Sequence, residues 1–286
     1  MKLLITGANG QLGNEIRELA RLYPQYTFLY TDIAELDITN AAEVHAYFGI
    51  HRPDVVINCA AYTAVDKAET DTETAFLVNA TASGNLAKAA QASGCFMVHV
   101  STDYVYDGRN YRPYTESDTV NPVSVYGKSK LAGEQEVLQS GARAIIIRTS
   151  WLYSAFGNNF VKTMIKYGRE REALNVVFDQ AGTPTYAFDL AKTILDILPK
   201  AVTSRETGIF HYSNEGVTSW YDFAKAIHEL AGINCRVSPI ATRDYPTPAK
   251  RPFFSVLDKS LIRNSFAIEI PYWRDSLKDC IKRLEP

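Results

Sequence analysis

Short apolar runs and longer stretches with apolar residues at helical spacing alternate through the first half of the chain. Lys2–Thr6, Thr27–Thr31, Val55–Asn58, 96–101 and 144–148 are runs rich in β-branched or aromatic residues and read as strands. Between them, 11–22 carries apolar positions at helical spacing and 74–92 is a long alanine-rich helix. Asn40-Ala41-Ala42-Glu43 has the form of a capping box that would start another helix. Strand and helix in regular alternation predict a doubly wound parallel sheet with helices on both faces. After Trp151 the pattern loosens into loops rich in Asn, Gly, Thr and Pro, with helices predicted at 159–171, 188–198, 219–231 and Trp273–Leu284. Residues 1–150 are therefore expected to form the sheet domain and 151–286 mainly a smaller C-terminal substrate-binding lobe, with the helix near 185–200 packing back on the sheet.

Size and charge narrow the function. A chain of 286 residues suits one large domain with a companion lobe. Thirty basic and 32 acidic residues are interspersed, for a net charge of -2, which offers no footprint for nucleic acid or an anionic membrane. No apolar stretch reaches the roughly 18 residues of a membrane helix. Met1-Lys2 leads straight into a strand, so no signal peptide is expected, and Cys59, Cys95, Cys235 and Cys280 are too scattered for a Cys-x-x-Cys pair. The expectation is a soluble, cytoplasmic protein with reduced thiols.

In open α/β sheets, ligands bind beyond the carboxyl ends of the strands, which directs attention to the residues just after each one. Gly7-Ala8-Asn9-Gly10-Gln11-Leu12-Gly13 follows the first strand and opens the first helix, as a dinucleotide fingerprint requires. Such glycines admit a pyrophosphate to the backbone, and the helix terminus offers it unpaired N–H groups. Asp32 ends the second strand at the place where a carboxylate accepts hydrogen bonds from the adenosine ribose and opposes a 2′-phosphate. This favours NADH over NADPH, and Asp37-Ile38 can serve the adenine. Ala61-Tyr62-Thr63 follows the third strand, where small residues let a cofactor approach. A glycine-rich packing turn, a solvated Asp32 and ordinary core packing are the structural alternatives.

Tyr126 and Lys130 stand four residues apart, on one face of a predicted helix. A neighbouring ammonium favours the phenolate and would bring the tyrosine toward the working range of an acid-base catalyst. Taken alone, this common spacing fits a surface helix with a half-buried tyrosine and solvated lysines better. Thr102-Asp103, closing the fourth strand on the same sheet edge, supplies a hydroxyl that can bind a carbonyl oxygen, or that can cap a turn.

In order and spacing, the glycine loop, Asn79, Thr102, Tyr126 and Lys130 resemble the extended short-chain dehydrogenase/reductases, which have a Rossmann-type sheet. The resemblance narrows to the dTDP-4-dehydrorhamnose reductases through 61–69, 101–106 and 121–134, and in the second half through 148–153, 157–160, 179–184 and 245–252. It implies reduction of the C4 keto group of dTDP-4-dehydro-β-L-rhamnose by NADH or NADPH. Tyr126 would be the proton donor, Lys130 would hold the nicotinamide ribose and tune it, and Thr102 and Asp103 would contact the sugar oxygen. Gly7, Gly10, Gln11, Leu12, Gly13 and Asn79 would join the cofactor site. Trp151 would lie against the deoxyhexose, or alternatively in the core. Asn159, Gln180 and Arg251 would reach the sugar or nucleotide, with Arg251, whose planar fork suits phosphate, on the diphosphate.

Two features depart from the family pattern. Phe253-Phe254-Ser255 stands where an Asn-Ser pair often follows Arg-Pro, and of the acidic residues that bridge some family dimers through magnesium, Glu15 is present but only Asp189 stands in the second region. No required metal is expected, a non-essential Mg2+ at most, and the chain would be a monomer or homodimer. The rival readings are a reductase making another dTDP-6-deoxysugar, such as a talose, and a non-enzymatic subunit similar to the methionine adenosyltransferase β subunit.

Overall fold

The computed structural model describes residues 1–204 and 207–284. Its centre is a parallel sheet built from β1 (Lys2–Thr6), β2 (Thr27–Thr31), β3 (Val55–Asn58), β4 (Phe96–Thr102), β5 (Ala144–Thr149) and a further strand, Gly208–His211. From one edge the order is β2, β1, β3, β4, β5, Gly208–His211, so the chain reverses direction across the sheet between β1 and β3. That switch point opens a crevice at the carboxyl ends.

Alternate strand residues enter different cores, which explains why the strands read as unbroken apolar runs. Leu3, Ile5, Val55, Ile57, Val98, Ile145 and Ile147 face one core with the first helix, Gln11–Leu19. Leu4, Val56, Met97 and Ile146 face the other, with Phe48, Leu86 and Val137. The helix Ala187–Ser204 lies in the first of these cores through Leu190, Ile194 and Leu198, although it comes from the second half of the chain. The sixth strand also comes from there and pairs with β5. A third core holds Val161, Met164, Phe223, Trp273 and Leu277, beneath the helices Phe160–Glu170, Trp220–Leu230 and Trp273–Leu284.

The predicted capping box forms by half. Asn40 caps Ala41–His51 by accepting from the Ala42 and Glu43 amides, but the Glu43 carboxylate takes the Asp37 amide instead of that of Asn40. The long helix expected at 74–92 runs from Thr72 to Ser93 with one wider π turn, Leu77–Thr81, set into it. Among the described residues no helix is long and apolar enough to cross a membrane, and the four cysteines are unpaired.

Candidate active site

The glycine loop is shaped by close backbone approach. Gly7 is left-handed (φ +64°), and a Cβ there would lie 2.7 Å from Cα of Ala60, so the loops after β1 and β3 can touch only through a glycine. A Cβ on Gly13 would lie 2.5 Å from Cα of Ala8, which assigns Gly13 to helix–loop packing. Gly10 precedes the first helical residue, and no side chain caps the helix or places an acid in its first turn. Its N–H groups are thus available to an anion.

At the end of β2, Asp32 accepts the Asn9 amide at 3.0 Å and the Ile33 amide at 2.9 Å, while Glu35 accepts the Asp32 amide at 2.8 Å. Glu35 thus braces the backbone that carries Asp32, a contact absent from the sequence reading. Asp32 borders a cavity of about 370 Å3 that also takes in Gly7, Gly10, Asp37 and Ile38. Asp37 turns its carboxylate onto Thr39.

Gly10, Cys59 and Ala61 also line a second cavity of about 560 Å3, so the two form one trough along the sheet edge. Into this second part the fold gathers Gln11, Leu12, Thr63, Thr102 and Asp103, and with them Tyr126, Lys130, Trp151 and Asn159. Tyr126 and Lys130 stand on the helix Val125–Gln139, capped by Ser124 Oγ, which accepts the Gly127 amide at 3.1 Å. A Cβ on Gly127 would collide with the Tyr104 carbonyl, so this glycine seats the Tyr126 turn on the end of β4. Tyr104 then meets Tyr126 edge-on, ring centroids 5.3 Å apart.

The electrostatics differ from the sequence expectation. Burial pushes the Tyr126 phenol up to about 12, against a hydrogen bond with Thr102 that lowers it. Lys130 does not bring the phenol toward neutrality: its Nζ donates to the Val100 carbonyl at 2.7 Å, and burial lowers its own pKa to about 8, opposed by Glu134. Tyr126 is therefore a protonated phenol near neutral pH. Burial also raises Asp103 to about 7, although Thr102 Oγ1 donates to its Oδ1 at 3.0 Å.

The Asp103 shift has a measurable sign. A folded-state pKa of about 7 against 3.8 means that between those values the folded chain holds a proton the unfolded chain has lost, so this group's contribution to stability falls as pH rises through the window. Asp103→Asn should therefore gain on the parent in thermal unfolding from about pH 4 to pH 7, by at most about 1.4 kcal/mol per pH unit. A difference independent of pH would refute the shift.

Trp151 combines the two roles left open for it. The ring lines the trough and stacks on Trp220, with centroids 3.6 Å apart and planes 10° from parallel. A Cβ on Gly182 would lie 2.6 Å from the indole. The backbone at Trp151 is left-handed (φ +49°), an outlier for a bulky residue, held by these two contacts. Trp220 escaped the sequence reading; its only signal was an aromatic residue opening a predicted helix.

Other expected site residues are engaged by partners within the fold. Asn79 lines neither cavity: from the π turn its amide accepts from the Tyr62 N–H and donates to the Tyr62 carbonyl and to Ser129 Oγ, at 2.8, 3.1 and 2.9 Å. It ties the loop after β3 to the Tyr126 helix from behind. The Tyr62 hydroxyl donates to Asp71. Asn159 caps Phe160–Glu170 and donates to Gln11 Oε1 at 3.0 Å, bridging the lobe to the glycine loop. Gln180 is buried and donates to Thr242 Oγ1. Arg251 forms a two-pronged ion pair with Asp66, at 3.0 and 2.7 Å, beside a third cavity. Glu15 is held by Ser154 and Arg283, and Asp189 by Asn214 and Ser276. Among the described residues no cluster of His, Cys, Asp or Glu is arranged to hold a metal ion.

One buried network was missed altogether. Arg148 on β5 donates to both oxygens of Glu134, one turn beyond Lys130, at 2.9 and 2.6 Å, and Ser101 Oγ donates to the same carboxylate. A charged residue ending an apolar strand and an acidic one a turn past Lys130 were its only signal.

Comparison with known proteins agrees with this geometry. The family model described as the RmlD substrate binding domain matches residues 1–285. The dTDP-4-dehydrorhamnose reductase of Aggregatibacter actinomycetemcomitans is 43% identical over 97% of both chains, and that of Burkholderia thailandensis 40% over 99% of both. A crystal structure of a dTDP-4-dehydrorhamnose reductase from Clostridium acetobutylicum superposes with a TM-score of 0.95 at 46% identity, covering 100% of both chains. That of the Bacillus anthracis enzyme in complex with NADP gives 0.92 at 40%, covering 98% of both. With its full length matched and its sheet, glycine loop and polar trough assembled at one edge, the chain belongs to the dTDP-4-dehydrorhamnose reductases, a family of oxidoreductases.

Proposed function

We propose that the chain reduces the C4 keto group of dTDP-4-dehydro-β-L-rhamnose to give dTDP-β-L-rhamnose, with Tyr126 as the proton donor. The observation that carries this reading is the meeting of Thr102, Tyr126, Lys130 and Trp151 in one trough with the glycine loop. The loop fits a dinucleotide: side chains are excluded at Gly7 and Gly13, and the helix terminus behind them is free of acids. A reduced nicotinamide dinucleotide supplies the hydride when bound.

The chain supplies position, a proton and charge. As hydride adds to C4 as its fourth substituent, the π bond breaks, its electron pair moves onto the oxygen, and Tyr126, whose phenol burial pushes up to about 12, transfers its proton there. Thr102 offers its hydroxyl to the same oxygen. Lys130, anchored on the Val100 carbonyl, is placed to hold the nicotinamide ribose beside Tyr126. The Trp151 indole, fixed by Trp220, gives the deoxy face of the sugar an apolar wall. The Asp32 carboxylate, which lines the cavity beside Gly7 and Gly10, opposes a 2′-phosphate, which favours NADH.

The test is product NMR after incubation with the 3,5-epimerised 4-keto sugar and each cofactor. The expected outcome is the rhamno product, with kcat/KM roughly tenfold or more higher for NADH than for NADPH, on the order expected for two like charges near a surface. A talo product or none overturns the reading. Equal use of NADPH overturns the cofactor assignment alone.

A further inference from the structure

Among the described residues Arg52, Trp151 and Ala267 are the non-glycine positions with left-handed backbones, and of these Trp151 alone lines the trough. A bulky residue keeps such a backbone only where its surroundings over-determine it, and strain of this kind collects where a side chain must be aimed.

The surroundings of Trp151 come from segments distant in sequence. Trp220 opens the helix Trp220–Leu230, and its ring lies face to face with the Trp151 indole at a centroid distance of 3.6 Å. This is van der Waals contact over a whole ring face, so the Trp151 ring cannot turn about its side-chain bonds without giving it up. Gly182 meets an edge of the same indole: a Cβ there would lie 2.6 Å from Cε2 and 2.7 Å from Cζ2. The two contacts are tied to each other, because Thr218–Ser219 pairs antiparallel with Ala181–Gly182, which sets Thr218 opposite Gly182 just before Trp220.

Trp220 is held in turn. Ser219 caps its helix, accepting the Asp222 amide at 3.1 Å and donating to the Asp222 carboxylate at 2.6 Å. Phe160, next to the Asn159 that lines the trough, tilts against Trp220 with centroids 4.6 Å apart. Trp220, Gly182 and Phe160 stand outside the lining of the trough, so they reach a ligand only through Trp151.

A clamp on an indole fixes the shape of a wall. Thr102 and Tyr126, in the same trough, decide where the C4 oxygen lies. With C4 so placed, the C5 methyl of one epimer of a 6-deoxyhexose packs on the fixed indole, while that of the other epimer points away and leaves the wall uncovered. An indole free to swing would follow either.

We infer that Trp220 is a specificity-determining positioning residue: by stacking on Trp151 it makes the trough select one C5 epimer of the 4-keto-6-deoxyhexose. The assignment rests on the reductase reading above and deepens it, since the choice of epimer falls to a residue that touches no substrate.

The experiment measures kcat/KM with saturating NADH for the 3,5-epimerised 4-keto sugar and for the un-epimerised sugar, whose C5 methyl lies on the opposite face. The parent should favour the epimerised sugar at least about tenfold, the lower end of what one methylene-sized contact in an apolar pocket supplies. Trp220→Leu should raise KM for that sugar, lower kcat less than about threefold and bring the preference within about threefold, the pattern of lost uniform binding. Trp220→Phe, which keeps an aromatic face, should retain most of the preference. Gly182→Ala, which pushes the indole from its edge and leaves Trp220 in place, should lose the preference as Trp220→Leu does. NADH affinity within about twofold of the parent shows an intact fold, and loss of the exciton couplet of the stacked indoles in circular dichroism shows that the stack is gone. Full preference in a folded Trp220→Leu variant without the couplet, or in Gly182→Ala where Trp220→Leu does not fold, makes Trp220 core packing and leaves the reductase reading standing. The same holds if the parent gives the rhamno product but favours neither epimer. If the parent reduces neither sugar, both fall.

Discussion

Tyr126→Phe is expected to lower kcat by about 10²- to 10⁴-fold, the usual span for loss of a positioned general acid, and to leave NADH affinity within twofold. The substitution removes one oxygen and keeps the ring. The edge-on contact with Tyr104 and the helix seating through Gly127 and Ser124 therefore survive. With the phenol raised to about 12, no alternative proton of comparable position is supplied by Lys130, whose Nζ points to the Val100 carbonyl. Single-turnover rates with NADH in excess separate chemistry from product release. A rate within threefold of the parent removes Tyr126 from the reaction.

The first five strands and most helices were legible because their signals are local: runs of β-branched residues for strands buried on both faces, and caps such as Asn40. Gly208–His211 was not, since a short Gly-Ile-Phe-His run carries no strand pattern until β5 offers it an edge. The glycine loop placed the trough correctly on the sheet edge. What residue order could not convey was direction. Asn79 sits where the resemblance put it, yet the π turn aims its amide at Tyr62 and Ser129 behind the trough. Arg251 reads as a phosphate fork until Asp66, distant in sequence, takes both prongs. The lysine expected to acidify Tyr126 does not, because burial outweighs any help to the phenolate and the ammonium has a carbonyl partner.

Arg148→Met should be the most damaging change to stability, costing about 3–5 kcal/mol by leaving Glu134 as a buried, unpaired carboxylate. The pair is 2% and 1% exposed, with hydrogen bonds from Arg148 to both carboxylate oxygens and to the Tyr106 hydroxyl. Denaturant unfolding measures the loss, and a cost below about 1 kcal/mol would mean that the pair is not desolvated as described. Adding Glu134→Leu to Arg148→Met should recover much of the stability, because both charges are then gone. The recovered variant should still differ from the parent in its pH–rate profile. Glu134 raises the pKa of Lys130 against burial, so its removal lowers that pKa below about 8 and moves the alkaline loss of activity to lower pH. An unchanged alkaline limb in a stably folded double variant would show that the Lys130 ammonium is not required for turnover. A downward shift would tie the buried pair to the Lys130 charge in the trough.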